Sequence, residues 1–161
     1  MSDHTVGEET VDAITDAMLT ASRVLVSLSA RSIAAVDDTI TIAQFRVLVV
    51  LETRGALNVS ALAHALDVQP STATRMLDRL VSADLISREP SAHSRRELVV
   101  ALTDRGRAVG RDVTERRRAE IGSVVAAMPA AQRSGLVRAL AAFTAAGGEP
   151  SARTPAESHW V

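Results

Sequence analysis

The stretch "ALAHALDVQPSTATRMLDRL", Ala61 to Leu80, decides the architecture. "ALAHAL" reads as a short helix, which Ser60 can cap. "DVQP" then forces a turn, because Pro70 has no amide hydrogen and its fixed φ suits the first turn of a following helix. That next helix is expected from Pro70 to about Ala83. Ala73, Met76, Leu77 and Leu80 fall at i, i+3, i+4 and i+7 and form its apolar face. The opposite face carries Ser71, Thr74, Arg75, Asp78 and Ser82, with Thr72 and Arg79 on its flanks. A short helix thus braces a second one whose polar face is left free.

Working outward, Leu85–Arg88 and Glu97–Leu102 read as two short strands joined by the polar link "EPSAHSR". Leu98, Val100 and Leu102 keep the period of two that a half-buried strand requires. The pair Arg95-Arg96 then sits at a hairpin tip. Upstream, Thr41 can cap a helix through Ile42, Phe45, Leu48, Val49 and Leu51 that Gly55 stops. Before it, residues 9–36 keep Val11, Ile14, Met18, Leu25, Leu28 and Val36 at helical spacing, with an acidic start. This helix is too apolar on several sides to stand alone, which points to a partner. Downstream, Thr103 or Asp104 can cap a long helix over about 105–128, and Pro129 interrupts it before a sixth helix over about 130–146. Leu136, Val137, Leu140 and Phe143 form the apolar face of that last helix. Residues 1–8 are expected to be a flexible start, and "GGEPSARTPAESHWV" (147–161) a disordered tail. The fold class is mostly α with a small β-hairpin, an α+β arrangement.

Composition narrows the function classes. The 161 residues suit one domain and a core that needs no metal or disulfide. With no cysteine, disulfides, thiolate zinc sites and thiol redox sensing are excluded. His4, His64, His93 and His159 are scattered, so no metal or other cofactor is expected. Neither a nucleophile elbow nor a phosphate-cradling glycine loop occurs, and the chain does not read as an enzyme. No signal peptide is apparent, and the unbroken apolar runs, none longer than Val47–Leu51, are too short to cross a bilayer. A cytoplasmic protein without a membrane partner is the expectation.

Charge is unevenly placed. Residues 1–40 carry seven acids against Arg23 and Arg31, whereas residues 75–118 carry eleven arginines against seven acids. Every basic side chain outside histidine is arginine. A GC-rich genome would produce this usage, and the alanine excess fits it. Arginine is also the side chain best matched to phosphate and guanine.

The order helix, short helix, turn, helix, hairpin is that of a winged helix-turn-helix. Its exposed helix suits the major groove, and its hairpin wing reaches the neighbouring backbone or minor groove. A winged helix used only for protein contacts is the rival reading, and it has no need of an arginine-rich wing.

The segments "QFRVLVVLE", "ALAHAL", "PSTATRMLDRL", "DLISR" and "SRRELVVALTDRG" together resemble the DNA-binding core of the MarR family of bacterial transcriptional regulators. The long flanking helices have the family's order, so the resemblance covers about residues 10–146. It implies a homodimer assembled through helices 9–36 and 105–146, with a DNA-binding lobe over 41–103. It further implies a repressor on a pseudo-palindromic double-stranded operator, with two recognition helices about one DNA turn apart, ~34 Å.

Residue by residue, Ser71, Thr72, Thr74 and Arg75 match the start of the family's recognition helix (about 70–83), and Arg79 lies where a phosphate contact is expected. In the wing (about 88–97), Arg96 matches the arginine that enters the minor groove in relatives, and Arg95 adds to its charge. Where relatives commonly place an aspartate, this sequence has Ser94. Many relatives release DNA when a small molecule binds. The resemblance therefore implies an effector of unspecified identity; Arg23, Ser27 and Arg46 would anchor an anionic one only if they faced such a pocket, and surface or pairing roles are the favoured reading of them.

Overall fold

The computed structural model describes residues 5–91 and 94–149. Helix α1 spans Thr5–Ala34 and α2 spans Ile42–Arg54. Thr41 caps α2 with a full capping box: its hydroxyl accepts the Gln44 N–H, and the Gln44 side chain accepts the Thr41 N–H. Gly55, at φ 78°, ends the helix as expected.

A strand of two residues, β1 (Leu57–Asn58), precedes α3 (Val59–Leu66). The cap of α3 is Asn58, whose Oδ1 accepts the Ala61 N–H at 2.8 Å, rather than the expected Ser60. Pairing of β1 holds Asn58 extended immediately before the helix, which is the backbone state a cap requires. Asp67, in the left-handed region at φ 54°, closes α3, and α4 runs Pro70–Ser82 with Pro70 in its first turn.

Strands β2 (Ile86–Ser91) and β3 (Ser94–Leu102) pair antiparallel, and β1 adds to the other side of β3, giving the order β1-β3-β2. The hairpin is longer than its apolar alternation indicated. Pairing continues through Glu89↔Val99 and Pro90↔Leu98, with an irregularity before Ser91↔Ser94. Pro90 is tolerated because β2 is an edge strand and its missing N–H need not serve the ladder.

Helix α5 spans Asp104–Ala127, capped by Thr103, whose Oγ1 accepts the Gly106 N–H at 2.9 Å. The single last helix expected over 130–146 is instead two, α6 (Ala130–Arg133) and α7 (Leu136–Ala146). Ser134 is extended and Gly135 adopts φ 81°, a break that only glycine accepts cheaply. The chain divides into two compact units, with the boundary inside α5 after Ile121.

The core of the first unit gathers Phe45, Leu48 and Leu51 of α2, Leu62 and Leu66 of α3, Leu77 and Leu80 of α4, then Leu85, Ile86 and Val100 of the sheet region. Val113 of α5 closes it. Gly106 permits the tightest approach, since a Cβ there would lie 1.9 Å from the Leu85 carbonyl oxygen.

Most of α1 buries little: Val11, Ile14, Leu19, Val24, Leu25 and Val26 are exposed. Within it, Val11–Ala34 is long and apolar enough to cross a membrane by length and composition. Counting unbroken apolar runs missed this, because interspersed Ser and Thr break the run while leaving the mean hydropathy high. The end of the same stretch is engaged with protein: Leu28, Ser29, Ser32 and Ile33 are buried.

Candidate nucleic-acid interface

The geometry of α4 follows from its two faces. Ala73, Leu77 and Leu80 are fully buried, which turns the other side outward. Ser71, Thr74, Arg75, Asp78, Arg79 and Ser82 are exposed, and Thr72 is half-buried on the flank. No side chain caps the start of α4. Pro70 has no N–H and Thr72 donates its own to the Gln69 carbonyl at 2.9 Å, so the helix dipole, rather than a set of free amides, is what favours an anion there. Thr74 donates to the Pro70 carbonyl at 2.9 Å and Ser82 to that of Asp78 at 2.9 Å, so both hydroxyls keep their oxygens available as acceptors.

Charge separates the residues of this face. Asp78 pairs with Arg88 of β2, not with the neighbouring Arg75 or Arg79 as its helix position suggested. Arg75 and Arg79 have no hydrogen-bond or ion-pair partner among the described residues and project from α4 as uncompensated cations. Arg88, which sequence reasoning left out, thereby ties the base of the wing to the exposed helix. The only hint of it was a lone acid on a polar face ten residues before a basic strand position.

Arg95 and Arg96 occupy β3, directly after the Ser91↔Ser94 pair at the hairpin end. Their side chains, with that of Ser94, lie outside the described residues, as does all of His93. Five of the seven predicted site residues are therefore brought together on the start and exposed face of α4. The other two share the adjoining wing strand.

The side chains suggested as effector anchors lie on the surface of α1 and α2. Arg23, Ser27 and Arg46 are all exposed, and Ser27 already accepts a hydrogen bond from Arg31 at 2.8 Å. None of the three lines the open cleft of about 390 Å³ between the start of α2 and the second half of α4, where Thr41, Gln44, Arg79 and Ser82 lie. Arg116 and Arg118 are exposed, but Arg117 is half-buried with its guanidinium 5.8 Å from the centre of the Phe45 ring. Among the described residues, no three His, Cys, Asp or Glu side chains group as metal ligands.

The model of the MarR family matches residues 40–98, the segment from the start of α2 into the wing. The HTH-type transcriptional repressor MdtR of Bacillus subtilis is 42% identical over 67 residues, 42% of this chain and 43% of MdtR. The crystal structure of RV1404 from Mycobacterium tuberculosis is 62% identical, covers 89% of this chain and 97% of its own, and superposes with a TM-score of 0.83. The chain belongs to the MarR family. MarR-family proteins are transcriptional regulators, not enzymes, in line with the absence of catalytic motifs. This MarR-family chain spans less than half the length of the curated relatives it matches. A MarR mutant from E. coli complexed with operator DNA shares the fold, with a TM-score of 0.65 over 88% of this chain and 99% of that one at 24% identity.

Proposed function

We propose that the protein is a sequence-specific DNA-binding repressor acting as a homodimer in the cytoplasm. The observation that carries this reading is the pair of uncompensated arginines, Arg75 and Arg79, on the exposed face of α4 beside an arginine-bearing wing. Ser71, Thr72, Thr74 and Arg75 read or position the major groove, Arg79 holds a phosphate, and Arg95 and Arg96 serve the backbone and minor groove. The free face is polar and cationic, whereas a protein-binding surface would centre on large apolar or aromatic anchors.

Dimerisation accounts for the exposed apolar side chains on two helices. Val11, Ile14 and Leu25 on α1, and Val137, Leu140 and Phe143 on α7, would otherwise face water at a cost of about 25 cal/mol per Å². Family analogy adds a small-molecule effector of unspecified chemistry whose binding would release the DNA.

The test is fluorescence-anisotropy binding to duplex DNA from upstream of its own gene, with random competitor and a salt series, beside sedimentation for oligomeric state. Tight, salt-dependent preference for the upstream DNA by a dimer is expected. Absence of DNA binding at low salt would leave the winged helix as a protein-interaction module. A monomer at micromolar concentration would remove the pseudo-palindromic operator.

A further inference from the structure

Polar contacts join α5 to the end of α1 and to the link that follows it. Near the start of α5, Arg105 faces Asp37 at 3.8 Å, and Asp37 Oδ1 accepts both the N–H and the hydroxyl of Thr39. Fifteen residues further along, about 22 Å of helix, the Glu120 carboxylate receives two donors from adjacent residues of α1. Ser32 Oγ reaches Oε1 at 3.2 Å, and Arg31 Nη2 reaches Oε2 at 3.2 Å. Ser32 is wholly buried, and Arg31 is held in place by a second bond to Ser27. One turn before Glu120, Arg117 lies over the Phe45 ring of α2. Within four residues, α5 is therefore registered against both α1 and α2.

This cluster adds little to stability as an ion pair, because the Arg31 side chain is 60% exposed and solvent screens it. What it supplies is direction. The hydrophobic driving force is itself non-directional, whereas two hydrogen bonds to opposite oxygens of one carboxylate favour a single orientation. None of these residues lies on the α4 face or in the wing, so a change in net charge would shift binding to every duplex alike, and only an effect that depends on half-site spacing acts through geometry.

We propose that Glu120 is a positioning residue for DNA recognition. By receiving Ser32 and Arg31, its carboxylate sets the angle at which the winged-helix lobe is carried on the long helices, and with it the separation of the two recognition helices in the dimer. The inference rests on the DNA-binding homodimer described under the proposed function.

The test compares wild type, Glu120→Gln and Ser32→Ala, each with its melting temperature recorded. Anisotropy is measured on three duplexes from the footprinted upstream site: one half-site, two half-sites at native separation, and two half-sites with one or two base pairs inserted. Glu120→Gln is expected to bind the half-site within about twofold of wild type. On the native two-half-site duplex it should lose roughly tenfold, and its discrimination against inserted spacings should shrink several-fold. Ser32→Ala should move the same way by less. A merely structural role would lower melting and weaken all duplexes in parallel, leaving spacing discrimination intact, and that result overturns the proposal. Wild type without preference for two half-sites over one would remove the dimer reading instead, and the proposal with it. Wild type that bound none of the duplexes would remove the DNA reading.

Discussion

The carboxylate of Asp78, on the outward face of α4, holds the guanidinium of Arg88 on β2. This contact spans ten residues of sequence and does two things together. It links the exposed helix to the base of the wing, and it removes the only acid on that helix from competition for Arg75 and Arg79. Both partners are partly solvated, at 34% for the Arg88 side chain and 56% for Asp78. Its contribution to folding is therefore small, and its consequence lies in charge placement.

Asp78→Asn should change stability by less than about 1 kcal/mol in urea melts. It should also strengthen binding to random-sequence DNA at low salt, since one more arginine is released beside the helix. Unchanged random-DNA affinity at low salt would show that Arg88 does not reach the duplex.

Arg75 and Arg79 should separate by the kind of contact each makes. Arg75→Ala should cost ~1–3 kcal/mol on the specific site and relax preference at one base position. Arg79→Ala should weaken specific and random DNA alike and reduce the salt slope by roughly 0.9, the share of a single phosphate. A competition series over single-base variants of the site, repeated at several salt concentrations, distinguishes the two.

The wing is tested by Arg96→Ala and Ser94→Asp. Arg96→Ala should weaken binding on specific and random DNA and flatten the salt slope by roughly one unit for each phosphate that the arginine neutralises. Ser94→Asp adds a negative charge two residues from Arg96 and should lower random-DNA affinity relative to wild type. Equal random-DNA affinities for Ser94→Asp and wild type would refute a role for Ser94 in keeping the wing positive.

Gly106→Ala probes the packing that seats α5 against the wing. The added methyl would meet the Leu85 carbonyl oxygen at 1.9 Å, and that oxygen also accepts the Thr103 N–H at 3.2 Å. Backbone must move, so a loss of about 2–3 kcal/mol is expected from chemical denaturation. The control Gly110→Ala has open space at its Cβ and should be neutral or slightly stabilising.

Local rules carried far in this chain because they depend on neighbours a few residues apart. Apolar spacing at Ala73, Met76, Leu77 and Leu80 is enough to decide which side of α4 is buried, and so which side is free. Thr41 and Gly55 bound α2 through contacts within one turn. The polar face with Ser71, Thr74, Arg75 and Arg79 was legible for the same reason, whereas Arg95 and Arg96, expected at the hairpin tip, lie within β3 because the pairing runs beyond the apolar alternation.

What tertiary structure decided involves partners far apart in the chain. The two residues of β1 are too few for any period to register, and only their pairing with Val99 and Val100 makes them a strand and Asn58 a cap. Asp78 had arginines nearby on its own helix, yet the hairpin delivers Arg88, and which cation wins depends on how the strand crosses the helix. Glu120 reads as one more surface acid among arginines. Its meeting with Arg31 and Ser32, 89 and 88 residues away, exists only once α5 has folded back along α1. A sequence specifies local faces through periodicity and caps, which act over about one or two helical turns. Directional polar contacts between elements join residues that meet only when those faces come together, and no local pattern encodes them.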